Sequence, residues 1–289
     1  MTTQEKKVRL ALPKGSIEQG VLQLLKDAGI EVRCSPRGYR PSLSLPDCEA
    51  KLLRPPNIVE MLQAGSRDLG FVGADWVAEL QADLVELLDT GLDPVRLVAA
   101  APRALVESGE LEKRPIVVAS EYERLTKEWI ERRGLKATLL RSYGATEVFP
   151  PEDADCIVDV TATGSTLREN GLVEIDQLMS SSTRLYACPT ALQDPLKRKI
   201  IEDLVLLLKA VLESRRRVMV EVNVDASHLE GVIEILPCMR QPTISRLYGE
   251  DGYAIKAAVT RKDLVRVIPL IKARGGTDIV VSELAQIVP

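Results

Sequence analysis

The chain has 289 residues, enough for two or three domains that each bury a core. With 45% hydrophobic residues, 38 basic against 42 acidic residues and a net charge of −4, the composition is typical of a soluble globular protein. The acidic balance argues against nucleic-acid binding, and no apolar run is long enough to span a membrane. We therefore expect neither nucleic-acid nor membrane partners.

The first 90 or so residues alternate strand and helix patterns. VRLAL predicts a strand, and Ser16 and Gln19 have the capping-box spacing of a helix that ends at Gly29. RDLGFVGADWVAEL again predicts a strand followed by a helix, with the strand at 69–72 and the helix beginning near Asp75. This alternation predicts a mainly parallel α/β architecture with ligands at the carboxyl ends of the strands.

A second α/β unit runs from VRLVAAAP through the helical EYERLTKEWIERRG to DCIVDVTATGSTLRENGL. Residues 194–217 predict a long Leu-rich helix. In the following segment, strand and helix patterns occur in the order βαββαβ. That order is the compact ferredoxin-like arrangement, so we expect a separate C-terminal domain.

The segment DCIVDVTATGSTLRENGL (155–172) places small hydroxylated residues after a buried strand. Thr166 and Glu169 have capping-box spacing, which predicts a strand-to-helix turn at Thr-Gly-Ser-Thr. Gly164 lets the backbone approach a ligand closely, and the amides of a helix N-terminus favour an anion, most often phosphate. Asp159, at the end of the strand, could hold sugar hydroxyls. A well-capped turn without a ligand explains the segment equally well.

Cysteine and histidine usage limits the possible chemistry. Five scattered cysteines, with no Cys-x-x-Cys pair, indicate reduced thiols and a cytoplasmic location. The N-terminal MTTQEKKVRLALPKG has too short an apolar stretch for a signal peptide. His228 is the single histidine, which excludes His-rich metal sites and argues against a histidine-dependent nucleophilic triad.

Seven segments, taken together, resemble ATP phosphoribosyltransferase in its long form, which has a regulatory C-terminal domain. They are LPKGS, RGYRPS, LLRP, DLGFVGADW, SYGATEVFPP, DCIVDVTATGSTLRENGL and PTISRL, in the same order and over essentially the whole chain. The resemblance implies a two-lobed catalytic core like a type II periplasmic binding protein and a ferredoxin-like regulatory domain. The expected boundaries are 1–97 and 182–213 for lobe I, 98–181 for lobe II and 214–289 for the regulatory domain.

The resemblance implies transfer of the phosphoribosyl group of phosphoribosyl pyrophosphate to N1 of ATP, with release of pyrophosphate, in the first step of histidine biosynthesis. Positioning and electrostatics can drive such a displacement without a histidine base. Mg²⁺ is expected as a cofactor carried by the pyrophosphate, with no dedicated protein site. The residues expected to bind phosphoribosyl pyrophosphate are Glu147, Asp159, Thr161, Thr163, Gly164, Ser165 and Thr166.

A second group of residues is expected to bind ATP, because two phosphate-rich substrates need cations. Lys14 follows the first strand, and Arg54 precedes a proline that keeps it off a helix. Taken alone, each cation is better explained by a surface salt bridge, and the resemblance reverses this for Lys14 and Arg54 but not for Arg37. A helix cap explains Asp75 as well as a substrate contact does. Lys14, Arg54 and Asp159 are the expected catalytic residues. The expected ATP-binding residues are Lys14, Gly15, Ser16, Arg37, Arg54 and Asp75.

For the C-terminal domain, the resemblance implies inhibition by histidine, the end product, and a homo-oligomer, either a hexamer or a dimer. Candidate histidine contacts are Asn223 and Asp225 on its first strand and Thr243 and Ser245 in PTISRL. Strand capping explains these polar residues equally well.

Two other functions are compatible with parts of the sequence. A two-lobed protein could bind or sense a small molecule without chemistry, although a secreted receptor should have a signal sequence and a transcriptional sensor a DNA-binding domain. A nucleobase-salvage phosphoribosyltransferase also has a loop that ends in Thr-Gly-x-Thr. Salvage enzymes usually show two adjacent acids before that loop, whereas Val158 precedes Asp159 here.

Overall fold

The structure is a computed structural model that describes residues 7–35, 38–107, 110–111, 114–249 and 251–288. The chain divides into two compact units. The first contains the residues up to Lys26 and Ile30–Glu202, and the second contains Asp27–Gly29 and the residues from Asp203 onward. Within the described ranges, no helix is both long and apolar enough to cross a lipid bilayer.

The elements of the first unit alternate between strands and helices, as the sequence pattern predicts. They are β1 (Val8–Pro13), α1 (Glu18–Asp27), β2 (Val32–Arg33), β3 (Ser42–Leu43), β4 (Cys48–Leu53), α2 (Pro55–Gln63), β5 (Leu69–Gly73), α3 (Ala74–Glu79), β6 (Val85–Pro102), β7 (Val106–Glu107), β8 (Glu110–Leu111), β9 (Ile116–Ser120), α4 (Glu123–Arg133), β10 (Ala137–Arg141), β11 (Cys156–Thr161), α5 (Ser165–Glu169) and β12 (Leu172–Ala187). A long helix, α6 (Pro195–Arg216), follows β12.

One eight-stranded sheet, in the order β10-β9-β11-β6-β12-β5-β1-β4, organises this unit. It is more mixed than the sequence pattern predicts, because β6 and β12 run antiparallel to each other and to their neighbours. The pairing of β6 with β12 contains several register shifts, which interrupt the regular alternation of a strand. The apolar runs VRLVAAAP and RLYACPT therefore indicate only part of the length of each strand. The expected lobe boundaries at 97/98 and 181/182 fall inside these strands and stay predictions.

Parallel strands set the position of the residues that follow them. β1 pairs with β4 in register up to Pro13 and Leu53, and β1 also pairs with β5. β1 and β5 are largely buried, and α2 packs against them with the fully buried Ile58 and Leu62. The residues after β1, β4 and β5 therefore meet at one edge of the sheet.

The second unit continues with β13 (Arg217–Asp225), α7 (Leu229–Ile233), β14 (Thr243–Arg246), β15 (Gly252–Thr260), α8 (Leu264–Ala273) and β16 (Thr277–Glu283). Its sheet has the order β14-β15-β13-β16 with every pair antiparallel. Alternate valines of β13 are buried against Val232 of α7 and Ile271 of α8. The βαββαβ chain order and the ferredoxin-like topology predicted from the sequence are confirmed.

Candidate active site

A cavity of about 690 Å³ opens in the first unit where the parallel strands end. Its walls come from the residues that follow β1, β4, β5, β9 and β10, together with part of β12. This is the edge at which α/β sheets bind ligands. The polar and aromatic residues around it include Lys14, Gly15, Ser16, Arg54, Asn57, Asp75, Trp76, Glu121, Tyr122, Arg141, Tyr143 and Ser181.

Five of the six residues expected to bind ATP line this cavity. The sixth, Arg37, lies outside the described residues. The Lys14 ammonium is 3.1 Å from the Tyr39 hydroxyl and 4.3 Å from the centroid of its ring. Arg54 is the N-cap of α2 in an extended conformation, and Pro55 follows it at the start of the helix. The cations therefore reach the cavity as the sequence predicts, while their contacts with ATP stay predictions.

Asp75 is 5% exposed, and both oxygens of its carboxylate accept hydrogen bonds. The Tyr122 hydroxyl donates to one oxygen at 2.6 Å, and the Ser181 hydroxyl donates to the other at 2.5 Å. Burial, and next the charge of Asp75, raise the pKa of the Tyr122 hydroxyl, which therefore stays protonated. The rings of Tyr122 and Trp76 lie 4.7 Å apart. Asp75 does not cap its own helix, since it links α3 to β12 and to the segment before α4.

The loop after β11 adopts a tight turn, although not the one that the capping-box spacing predicts. The helix α5 begins at Ser165 with Gly164 as N-cap, so the predicted capping box of Thr166 and Glu169 is wrong. Gly164 takes a left-handed conformation, φ 74°, and donates its N–H to the Thr161 hydroxyl at 2.9 Å. The glycine therefore closes the turn before Thr166 can cap a helix.

The side chains of this loop divide into two sets. Thr161 and Gly164 are buried inside the turn, whereas Thr163, Ser165 and Thr166 are exposed. The hydroxyls of Thr163 and Ser165 are 3.0 Å apart. Thr161 thus shapes the loop from within, and the other three hydroxyl groups are accessible to solvent.

Asp159, the predicted ribose contact, lies in an electrostatically unfavourable position. Burial raises the pKa of its carboxyl to about 6, and the charges of Glu147 and Glu121 act in the same direction. The Val160 N–H, which donates to the carboxyl at 2.7 Å, and the Thr146 hydroxyl partly offset these effects. The charges of Glu147 and Glu121 therefore act on Asp159. Glu121 and Val160 line the cavity, whereas the residues expected to bind phosphoribosyl pyrophosphate are not among its lining residues, and their role stays a prediction.

Several cavity residues were not predicted. Tyr122 follows β9, and Arg141 ends β10 with its guanidinium carbon 5.2 Å from the Tyr143 ring centroid. Their position at the carboxyl ends of strands is the feature of the sequence that could have identified them. Across the described ranges, no group of three or more His, Cys, Asp or Glu residues is arranged to hold a metal ion.

The four residues expected to contact histidine lie on two strands of the second unit. Asn223 and Ser245 both pair with Ala254 of β15, so they stand in one row across the sheet. Asn223 and Asp225 alternate with the buried valines of β13, which places them on the face away from the apolar core. Thr243 precedes Ser245 by two residues on an exposed edge strand. The register thus brings Asn223 near Ser245, and their role stays a prediction.

The fold and the cavity define the class: an α/β enzyme core with a cleft at the carboxyl ends of its strands, followed by a ferredoxin-like unit. A sequence model of the family "ATP phosphoribosyltransferase" matches residues 54–210, and one of "HisG, C-terminal domain" matches residues 214–286. The chain therefore belongs to the ATP phosphoribosyltransferase family of histidine biosynthesis, in the long form with a C-terminal domain.

Relatives of similar length carry the same name. An ATP phosphoribosyltransferase of Pelotomaculum thermopropionicum is 36% identical over 288 residues, which is 98% of this chain and 100% of the relative. One from Chlorobium luteolum is 36% identical over 284 residues, 96% of this chain and 97% of the relative. The solved "ATP phosphoribosyl transferase (HisG:HisZ) complex from Thermotoga maritima" is similar with a TM-score of 0.64 and 26% identity, over 71% of this chain and 98% of that one. The predicted family and fold class are confirmed.

Proposed function

We propose that this enzyme transfers the 5-phosphoribosyl group of phosphoribosyl pyrophosphate to N1 of the adenine of ATP, uses Mg²⁺ and acts in the cytoplasm. The N1–C1 bond forms as the bond from C1 to the pyrophosphate oxygen breaks, and the electron pair leaves with the pyrophosphate. The observation that carries this proposal is the cavity, which has cationic residues after β1 and β4 and is lined on another side by Val160, the neighbour of Asp159 on β11. Each substrate thus has groups of suitable chemistry.

The donor is assigned to the loop after β11. The exposed hydroxyls of Thr163, Ser165 and Thr166 suit the 5-phosphate, and the Ser165 N–H, which makes only a long hydrogen bond of 3.4 Å to the Thr163 hydroxyl, could turn to it. Asp159, assisted by Glu147, accepts hydrogen bonds from the ribose hydroxyls and stabilises positive charge that develops at C1. The pKa near 6 leaves Asp159 ionised at neutral pH, which this role requires.

The acceptor is assigned to the cavity wall formed after β1, β4 and β5. Lys14 and Arg54 attract phosphate oxygens, and Arg54 can bridge two of them because its guanidinium is planar. The walls also contain Trp76 and Tyr122, whose rings fix the shape of the space for a purine. Orientation of N1 toward C1 is then the main catalytic contribution of the protein.

Mg²⁺ is assigned to the pyrophosphate of the donor. This ion keeps several waters and binds mainly through substrate phosphates, so it needs no dedicated protein site. When bound, the ion neutralises charge on the leaving pyrophosphate.

A product assay tests the proposal. The enzyme is incubated with ATP, phosphoribosyl pyrophosphate and Mg²⁺, and the ultraviolet absorbance of the N1-substituted adenine is followed. We expect product with ATP and none with free adenine or guanine. Turnover of a free base without turnover of ATP would instead identify a salvage enzyme, and tight binding without turnover a sensor.

We also propose that histidine binds the outer face of the C-terminal sheet near Asn223, Asp225, Thr243 and Ser245, and that the enzyme is a homo-oligomer, either a hexamer or a dimer. Inhibition requires histidine to prefer a less active arrangement, since a ligand with equal affinity for both arrangements shifts nothing. Sedimentation velocity measures the assembly and would contradict the proposal if the enzyme is a monomer.

A point variant tests the regulatory site. We expect Ser245→Ala to weaken inhibition without altering the uninhibited rate, because Ser245 lies on an exposed strand of the second unit. Ser282→Ala, at an exposed position of β16, is the matched control. Equal inhibition of both variants and the parent enzyme would place histidine elsewhere.

A further inference from the structure

Two helices of the first unit, α3 and α4, contact each other although they follow distant strands of the sheet. α3 follows β5, α4 follows β9, and β11, β6 and β12 lie between these two strands. Neighbouring strands are about 4.8 Å apart, so in a flat sheet β5 and β9 would lie about 19 Å from each other. The sheet therefore bends between one half that contains β5, β1 and β4 and another that contains β10, β9 and β11.

The bend lies in β6 and β12, which join the two halves. Their pairing shifts register between Ser181 and Thr183 and again between Thr183 and Arg184. On β6, Gly91 and Asp93 have positive φ angles of 65° and 47°. Irregularities of this kind bend a strand. Asp93, Ser181 and Thr183 also line the cavity, so the angle between the two halves sets the width of the cavity.

Glu79, the last residue of α3, caps the start of α4. It is 8% exposed, and both of its carboxylate oxygens accept backbone hydrogen bonds. The Arg124 N–H donates to one oxygen at 2.8 Å, and the Leu125 N–H donates to the other at 3.0 Å. The N-cap of α4, Tyr122, makes no side-chain cap of its own. The first amides of a helix lack partners within the helix and favour negative charge, so Glu79 supplies the missing cap from another helix.

Arg124 returns the contact from α4 to α3. Its guanidinium donates to the Glu79 carbonyl at 3.0 Å and also to the Ala78 carbonyl. These carbonyls lie in the last turn of α3, where acceptors lack partners within the helix. The third nitrogen of the guanidinium pairs with Glu128 on α4. Each helix end is thus capped by a residue of the other helix, and we call Glu79 and Arg124 the helix clasp.

The helix clasp lies next to the aromatic wall of the cavity. Tyr122 of the α4 N-cap donates its hydroxyl to Asp75 of α3, and its ring lies 4.7 Å from that of Trp76. Trp76 packs against buried apolar residues of both halves of the sheet. The clasp therefore fixes the distance between the two helices that carry this wall.

We propose that Glu79 and Arg124 are positioning residues that set the width of the cleft, so that the two substrates meet with N1 close to C1. The catalytic consequence rests on the proposed function, whereas the contacts between α3 and α4 do not. Each substrate is assigned to its own side of the cleft, so the clasp contributes to the alignment of the reacting atoms more than to the binding of either substrate. Misplacement of reacting groups by about 1 Å costs about 100-fold in rate.

Kinetics and calorimetry on the full-length enzyme test the proposal. We expect Glu79→Gln and Arg124→Gln each to lower kcat about tenfold, the effect of one lost charge-assisted hydrogen bond. The dissociation constant of each substrate alone should change by less than about twofold. Because the two residues form one clasp, the double variant should lose no more activity than the weaker of the two single variants.

Hydrogen exchange provides a readout that needs no turnover. The amides of Arg124 and Leu125 are protected by the Glu79 carboxylate. A peptide that covers residues 123–126 should therefore exchange about tenfold faster in Glu79→Gln than in the parent enzyme.

Glu128→Gln is the matched control, because it removes the same charge and a contact with Arg124 but leaves the contacts between the two helices in place. It should leave kcat and exchange unchanged. The proposal is overturned if Glu79→Gln keeps the parent kcat and exchange, if the losses of the single variants multiply in the double variant, or if the affinity for one substrate falls as much as kcat. If Glu79→Gln does not fold, Arg124→Gln provides the same test. A failure of the proposed reaction would appear separately, as a parent enzyme that forms no product while its exchange still responds to Glu79→Gln.

Discussion

The two sides of the cleft meet phosphate with different chemistry. On one side, Lys14 and Arg54 follow β1 and β4 and line the cavity. On the other side, where Val160 lines the cavity, Asp159 lies at the end of β11 before a loop whose exposed groups are hydroxyls. A flexible oligophosphate suits mobile cations, whereas a sugar phosphate needs a shaped loop and an acid for its hydroxyls.

The local net charge of a protein surface therefore does not by itself predict where a phosphate binds. The donor side is acidic enough to raise the pKa of Asp159 to about 6, although it is assigned a phosphate. Under the proposed function, Mg²⁺ carried by the pyrophosphate would compensate there for the absence of cations. The following changes test whether the two sides act independently.

The largest expected effect is on the donor side. Asp159→Asn should lower kcat/KM about 100 to 1000-fold, since loss of one interaction of this kind costs about 2.7 to 4 kcal/mol in the transition state. Steady-state kinetics measures the loss, and Asp153→Asn, at an exposed position, is the control. Near-parent activity of Asp159→Asn would mean that the loop is only a turn.

On the acceptor side, Arg54→Gln should lower kcat/KM for ATP about 10 to 100-fold, because a hydrogen bond between charged groups contributes about 1.5 to 3 kcal/mol. Arg103→Gln, exposed and outside the cavity, should have no effect. If only kcat/KM for phosphoribosyl pyrophosphate fell, Arg54 would instead contact the donor. The two sides of the cleft would then not hold different substrates.

Because the pKa of Asp159 is raised, replacing this residue should stabilise the folded protein at neutral pH, although it lowers activity. Between pH 3.8 and about 6, the folded protein binds this proton more tightly than the unfolded chain, so the free energy of unfolding falls as pH rises through that interval. Asp159→Asn should therefore be more stable than the parent at pH 7, by about 1 to 3 kcal/mol, and equally stable below the ordinary pKa. Urea denaturation across pH checks this, and a less stable variant at pH 7 would show that the carboxylate is favourably held.

The smallest effect concerns the shape of the loop. Gly164→Ala and Gly91→Ala both put a side chain at a left-handed φ, 74° and 65°, which costs about 1 to 2 kcal/mol. Only at Gly164 would the new Cβ approach neighbours, the side chains of Arg168 at 2.9 Å and Glu174 at 3.0 Å. Thermal melting should fall in both variants, whereas KM for phosphoribosyl pyrophosphate should rise in Gly164→Ala alone. An equal rise in both would make the loop contacts irrelevant.

Local sequence patterns predicted much of this architecture. Buried apolar runs located β1, β5 and β11, and the βαββαβ order located the ferredoxin-like unit. The same patterns placed Lys14, Arg54 and Asp75 at the carboxyl ends of strands, which is where the cavity lies. These features are determined by residues that are close together in the sequence, so local sequence patterns can predict them.

Features that depend on pairing between distant strands could not be predicted. The long β6 and β12 contain register shifts that spoil strand periodicity. Glu79 and Arg124 are 45 residues apart in the sequence and meet only because the sheet bends at β6 and β12. The predicted capping box is absent for a local reason. Gly164 has a left-handed conformation and is itself the N-cap of α5, so the helix begins one residue before Thr166.

Equilibrium binding of each substrate alone tests the central claim, that the two sides of the cleft hold different substrates. Dissociation constants for phosphoribosyl pyrophosphate and for ATP are measured by calorimetry on Thr163→Val and Lys14→Gln. The account predicts that Thr163→Val weakens phosphoribosyl pyrophosphate and leaves ATP unchanged, and that Lys14→Gln does the reverse. If both variants lose the same substrate, or if each loses both equally, the division of the cleft is wrong.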